Sequence, residues 1–273
     1  MTTIEINGTE LFHVRVGSGA PALVLHGGLG IDQTLYRTLD PLGDRLELVY
    51  YDHRGNGRSA RPDPSTLTME QWADDAAALA SELFPGERFI AIGHSFGGFI
   101  AQELAIRHTA ALAGLVLVCT TPGQLGAGEE PASEGPPVPA EFVEVISTPP
   151  ATDDEYASGM RRLLPFYFRD TPPEEAWSLL DDTIFDAAAM RRGFEVLGSW
   201  SSVDRLGGVD VPTLVAAGRH DAITAAPQTH RIAARLPDAE VVVLEESAHF
   251  PWMEEPAAFF AAVRDWLGRR GLA

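Results

Sequence analysis

The sequence predicts an α/β fold: a mostly parallel central sheet flanked by helices and interrupted by one all-helical insertion. Three observations predict it. Short apolar runs alternate with stretches of helical periodicity, the signature of successive strand–helix units. Several of those runs lead into loops bearing Gly, Asp or His, where a parallel sheet gathers functional side chains beyond its carboxyl edge. The alternation then fails over residues 123–205, where helical patterns follow one another without a convincing strand.

Strands are expected at 10–16, 21–26, 46–52, 89–94, 112–119, 212–218 and 239–245. The second feeds the glycine-rich stretch His26-Gly27-Gly28-Leu29-Gly30. The third runs into Asp52-His53-Arg54-Gly55-Asn56-Gly57-Arg58-Ser59, whose glycines bend the chain and whose arginines tie it to nearby carboxylates or carbonyls, a scaffold role. A helix follows at 69–84: Thr68 and Gln71 make a capping box, Trp72, Ala76, Leu79, Ala80 and Leu83 recur at helical spacing, and Pro85 stops it. The strand at 89–94 turns through Gly93-His94-Ser95-Phe96-Gly97 into a helix-like stretch from Phe99 to His108. Cys119, the only cysteine, falls inside the 112–119 strand and reads as a buried, inert thiol; no internal disulfide is possible.

The insertion opens with a Gly-, Pro- and Glu-rich loop from Gly123 to Pro139, followed by helices near 140–147, 153–164, 173–182 and 186–198. The strand at 212–218 runs into Gly218-Arg219-His220-Asp221, a helix covers 226–236, and the strand at 239–245 runs into a loop ending at His249. The last helix covers 256–270. The domain reading is a core of 1–122 and 206–273, with 123–205 as an inserted unit.

Ser95 carries the sharpest chemical signal. Small residues two places either side of a serine let strand turn abruptly into helix, which forces the serine into a strained conformation with its hydroxyl exposed. A serine hydroxyl needs a base to take its proton and an acid to orient that base. His249 and Asp221 each stand just past a strand end and supply both. The backbone N–H groups of Gly28 and Phe96 are the expected oxyanion donors. His26 is expected to order its loop, and His94, pointing away from Ser95 in strand alternation, to pack.

The motifs HGGLG at 26–30, DHRGNGRS at 52–59, GHSFGG at 93–98 and GRHD at 218–221 resemble the proline-iminopeptidase-like branch of the α/β-hydrolase superfamily, whose members usually read HGGPG and DQRGxGRS at the first two. The serine motif is similar to those of esterases, lactonases and cofactor-free haloperoxidase-like members rather than to that branch's GGSWGS. The resemblance implies a serine hydrolase acting on an ester or amide of a small, partly apolar substrate through an acyl-enzyme, with 123–205 as a cap (lid). An iminopeptidase-type aminopeptidase or a lactonase is the alternative, and a ligand receptor on a hydrolase scaffold is the alternative of another class. Epoxide hydrolases and dehalogenases carry Asp where this chain has Ser95.

Composition narrows the chemistry. All 20 basic residues are arginine, which excludes Schiff-base chemistry, a P-loop lysine and a Ser-Lys dyad. A net charge of −19 argues against nucleic acid and anionic membranes as partners. No run of about 18 apolar residues is present and Met1-Thr-Thr-Ile-Glu-Ile lacks a signal pattern, so the expectation is a cytoplasmic monomer or homodimer that binds a small-molecule substrate and no membrane. No metal-ligand spacing and no dinucleotide fingerprint occur, so neither metal nor cofactor is expected.

The insertion holds sixteen Asp and Glu against six Arg. Glu144, Asp153, Asp154, Glu155, Asp181, Asp182 and Glu195 are its candidates for facing a site mouth. Leu29, Phe166, Trp177, Trp200 and Phe250 are the expected substrate-binding apolar residues.

Overall fold

A computed structural model describes residues 2–123 and 137–273. Eight strands form one sheet in the order β1-β2-β4-β3-β5-β6-β7-β8. They are β1 (Thr2–Ile6), β2 (Thr9–Gly17), β3 (Ala20–Leu25), β4 (Leu46–Tyr51), β5 (Phe89–His94), β6 (Leu112–Val118), β7 (Thr213–Gly218) and β8 (Ala239–Leu244). From β4 to β8 every pairing is parallel; β2 runs antiparallel to both β1 and β4.

β1 is an addition to the expected strands. Asn7 and Gly8 both have positive φ, 48° and 72°, and close a two-residue hairpin between β1 and β2. An Asn-Gly pair after the alternating Thr3-Ile4-Glu5-Ile6 is the signal that would have found it. The irregular 3₁₀ run Thr34–Asp44 also lay outside the sequence reading; Pro41 inside it removes an N–H donor, while Leu35, Tyr36, Leu39 and Leu42 are buried on one side.

The helices are α1 (Met69–Leu83), α2 (Phe96–Arg107), α3 (Ala140–Ser147), α4 (Asp153–Leu163), α5 (Glu174–Asp182), α6 (Ala187–Leu197), α7 (Pro227–Ala233), α8 (Pro251–Glu254) and α9 (Pro256–Arg270). They fall at their expected places, except that α7 is shorter than expected and the four-residue α8 is an addition. Thr68 caps α1 by accepting from Gln71 N–H at 3.1 Å, but the Gln71 amide bonds Asp75 instead of reaching back, so only half of the expected box forms. α2 starts at Phe96, earlier than expected, and is buried from Phe96 to Ala105. Its apolar residues surround it because it lies between the sheet and the rest of the molecule.

The parallel strands end level with one another. Leu25 pairs with Gly93, His94 with Val118, Val118 with Ala216 and Gly218 with Leu244. Their loops therefore begin along one carboxyl edge, with Ser95 and Cys119 directly beyond it. Cys119 is free and buried, as expected, but it stands just past β6 with φ of 46° and not inside the strand.

Helices α3 to α6 lie between β6 and β7 in the chain, with no strand among the described residues of that stretch beyond an isolated bridge of Gly123 with Ser201. The loop expected from Gly123 to Pro139 falls mostly outside the described residues. Among the described residues no helix is long and apolar enough to cross a membrane.

Candidate active site

Ser95 has φ 52° and ψ −117°, a conformation that costs energy for any residue with a Cβ. Its neighbours explain how the turn is held. Ser95 N–H donates to Val118 C=O, and its own carbonyl accepts from Gly98 N–H and Thr120 Oγ1. A Cβ on Gly97 would lie 2.0 Å from Leu25 O, and one on Gly93 2.6 Å from Ala101 Cβ, so both glycines of the motif are sterically required. Phe96 N–H is the first of α2, a position with no partner inside its own helix.

Asp221 and His249 meet as expected. His249 Nδ1 lies 2.8 Å from Asp221 Oδ2, with both side chains buried. Asp221 Oδ1 accepts from the N–H groups of Ile223 and Thr224, and Oδ2 also accepts from Thr224 Oγ1. Burial alone would raise the Asp221 carboxyl; the His249 charge and the His249 and Thr224 hydrogen bonds outweigh it and hold the group well below the ordinary carboxylate range. An ionised Asp221 accepts from Nδ1–H and leaves the His249 Nε2 lone pair available. Gly218 brings the two loops together, since a Cβ there would sit 2.0 Å from Ala248 O.

His94 does more than pack. Its Nε2–H donates to His249 C=O at 2.8 Å, and its Nδ1 accepts from Tyr36 Oη at 2.8 Å. Burial drives its pKa well below the usual histidine value, which keeps it neutral and preserves this one-donor, one-acceptor arrangement. Two carboxylates at the end of α8 fasten the same loop: Glu254, its last residue, accepts from Ala248 N–H, and Glu255, just beyond it, from Ser247 Oγ and Glu246 N–H. Thr224, His94 and Glu254 escaped the sequence reading as site residues. Only Thr224 had a local signal, a hydroxyl three places after an aspartate in a loop.

His26 orders its loop as anticipated: its Nε2 accepts from His53 N–H, and its Nδ1–H donates to Gly27 C=O. Burial lowers its pKa to about 4. The 52–59 segment ties that loop down. Asp52 accepts from Gln33 and Arg58 N–H, Asn56 Oδ1 accepts from Gly30 N–H at 2.9 Å, and Arg54 forms a buried two-point pair with Asp75.

A cavity of about 440 Å³ adjoins Ser95, with Gly28 and Phe96 in its wall beside the serine. Leu29 lines it. Phe166, Trp177, Trp200 and Phe250 do not; Phe142, Tyr156, Met160, Tyr167, Met190 and Phe194 take the wall positions instead. Trp200 turns its N–H to Glu103 and its ring to Phe99. Phe250 packs behind His249, among His94, Phe168 and Trp252. Of the seven carboxylates weighed for the mouth, all are exposed and only Glu155 lines the cavity, where its Oε2 accepts from Ala151 N–H.

The chain is 28% identical over 280 residues, covering 97% of this chain and 98% of the relative, to a proline iminopeptidase, PfmaB, of Pestalotiopsis fici. It is 25% identical to the structure of a thermophilic esterase from Thermogutta terrifontis, with a TM-score of 0.74 and 99% of each chain covered. The fold is also that of an enol-lactonase from Burkholderia xenovorans, with a TM-score of 0.75 at 24% identity over 98% of this chain and 100% of the other. The alpha/beta hydrolase family model matches residues 22–263, and with strand order, serine turn and loop positions in agreement, this chain belongs to the alpha/beta hydrolase family of enzymes.

Proposed function

We propose that the protein is a serine esterase or lactonase for a small, uncharged, largely apolar acyl substrate. One observation carries this reading: the ionised Asp221, bonded to His249 Nδ1, leaves Nε2 as base on the loop that borders the strained Ser95 turn. In this mechanism His249 Nε2 takes the Ser95 proton as Oγ attacks the carbonyl carbon. The oxyanion is held by the N–H groups of Gly28 and Phe96. The intermediate collapses to an acyl-enzyme as His249 returns the proton to the leaving alkoxide. Water, deprotonated by His249, then attacks the ester carbon, and the acid departs with Ser95 restored. The mechanism requires Ser95 Oγ and His249 Nε2 to come into hydrogen-bond contact in the substrate complex.

Residues 123–205 act as the cap in this reading and supply much of the cavity wall. The wall argues for an ester over an N-terminal proline substrate. A free α-ammonium buried against Phe142, Met160 and Met190 needs an anionic partner, and among the described lining residues Glu155 is the one carboxylate, already engaged with Ala151 N–H. The test is a panel of p-nitrophenyl acyl esters, acyl lactones and prolyl-β-naphthylamide, run with wild type and Ser95→Ala. Ester or lactone turnover that Ser95→Ala abolishes supports the reading. Equal turnover by the variant refutes it, and a preference for the prolyl amide moves the assignment to an aminopeptidase.

A further inference from the structure

We infer that Tyr156 on α4 is a positioning residue for the oxyanion hole, so that seating the helical insertion and shaping the 27–30 turn are one event. The inference rests on the proposed roles of Ser95 and Gly28. Gly28 N–H can meet an oxyanion only while the turn keeps its shape, and both Gly28 and Gly30 sit in the left-handed region, at φ 69° and 72°. A glycine turn has many other conformations open to it, so outside contacts must select this one.

Those contacts come mostly from the insertion. Gly30 N–H is held from the core by Asn56. The two carbonyls that follow Gly28 are held from the insertion: Leu29 C=O accepts from Tyr156 Oη, and Gly30 C=O accepts from Asp186 N–H at 2.8 Å. The approach is close enough to exclude side chains. A Cβ on Gly30 would lie 2.1 Å from Asp186 O, and one on Gly193 in α6 would lie 2.5 Å from Leu29 Cδ2. Asp186 is itself anchored to both units, capping α6 through Ala189 N–H and pairing with Arg61 Nε at 2.5 Å. Lifting the insertion would hand both carbonyls to water, and the contacts that select this conformation of the glycine turn would be lost.

Three roles for Tyr156 separate in kinetics. A residue that only stabilises the fold lowers Tm and leaves kcat per active site alone. One that only lines the cavity raises KM. A positioning residue lowers kcat, because the hole matters only when the oxyanion forms. The experiment compares full-length wild type, Tyr156→Phe and Arg61→Gln on one p-nitrophenyl ester, with active sites titrated. Each is also assayed for inhibition by a trifluoromethyl ketone, which forms a tetrahedral oxyanion on serine. Tyr156→Phe should lose about 10- to 100-fold in kcat with KM within about twofold, less than the ~10²–10³ of deleting a donor outright. Its affinity for the ketone should fall by the same factor. Arg61→Gln, further from the turn, should show the same pattern more weakly and carries the test if Tyr156→Phe does not fold. Unchanged kcat in both, or a loss wholly in KM, overturns the inference. Wild type without Ser95-dependent turnover overturns the proposed function instead, and the inference with it.

Discussion

The core and the helical insertion handle polar groups in opposite ways. In the core, the buried ionisable side chains around the candidate site have directional partners: Arg54 with Asp75, Asp221 with His249 and Thr224, His94 between Tyr36 and the His249 carbonyl. In the insertion every described carboxylate but Asp186 is exposed, some in pairs such as Arg161 with Asp181 that are half-exposed on both sides, while the residues facing the cavity are mostly apolar. Buried, bonded groups hold geometry and tuned pKa values; exposed pairs contribute little and tolerate change. Under the proposed function, the difference gives the chemistry to the core and substrate choice to the insertion.

The largest effect should come from the core. Asp221→Asn keeps the side-chain shape but removes the acceptor that sets the His249 tautomer, and kcat on a p-nitrophenyl ester should fall about 10⁴-fold. A loss below about tenfold would break the division, because the core would then not be holding the base.

A pH series on stability tests the same contrast without substrate. Burial lowers His26 to about 4 and holds His53 and His94 well below the usual histidine value. Unfolded histidines protonate near pH 6.5, so below that pH the unfolded chain binds more protons and the fold weakens as pH falls toward 4. Asp52, raised by burial to about 6, has the opposite sign: the folded chain takes up its proton first and gains stability over the same window. His13, also lowered by burial, adds to the histidine side and Glu254, raised by burial, to the Asp52 side; the histidines outnumber the carboxyls, so stability should fall as pH falls through this window. Denaturant titrations at pH 7.5, 6 and 5 read this slope; a flat profile would mean that the buried histidines are not neutral.

Changes in the cavity wall should be smaller and should alter preference. Met160→Ala removes apolar bulk from the wall and should shift relative kcat/KM toward bulkier acyl groups by about tenfold, the scale of a methylene or two in an apolar pocket. A uniform fall across the ester series would instead place Met160 with the catalytic machinery. The smallest effect is expected at Glu155, whose carboxylate is already engaged with Ala151 N–H. Glu155→Gln should change kcat/KM for neutral and cationic esters by less than about threefold, with little salt dependence as the screening length shortens from about 30 to about 8 Å. A tenfold loss confined to the cationic ester would give the insertion an electrostatic role.

Much of this was legible because it is local. The strand–glycine–helix turn at Ser95, the loops ending at Asp221 and His249, and the periodicity of α1, α4 and α6 are written within a few residues each. The hairpin at Asn7-Gly8 is equally local, an Asn-Gly pair after an alternating run. The pocket is not. Phe166 and Tyr167 are neighbours in a short 3₁₀ turn, and sequence has no means of deciding which faces the cavity. Trp200 and Phe250 have the right chemistry for a pocket but are drawn away by a buried Glu103 and by the ring cluster behind His249.

By itself, then, the sequence determined the order of strands and helices, the place of the insertion, and which residues stand at the sheet's carboxyl edge. Each of these follows from periodicity and from glycines that backbone geometry demands. Only the tertiary structure decided that Thr224 and His94 complete the Asp221–His249 pair, which aromatics wall the cavity, and that Tyr156 and Asp186 hold the Leu29 and Gly30 carbonyls. Those contacts join residues up to 156 positions apart, as with Asp186 and Gly30. Hydrogen bonds at that range depend on how two helices and a loop are packed in three dimensions, which no local pattern of residues encodes.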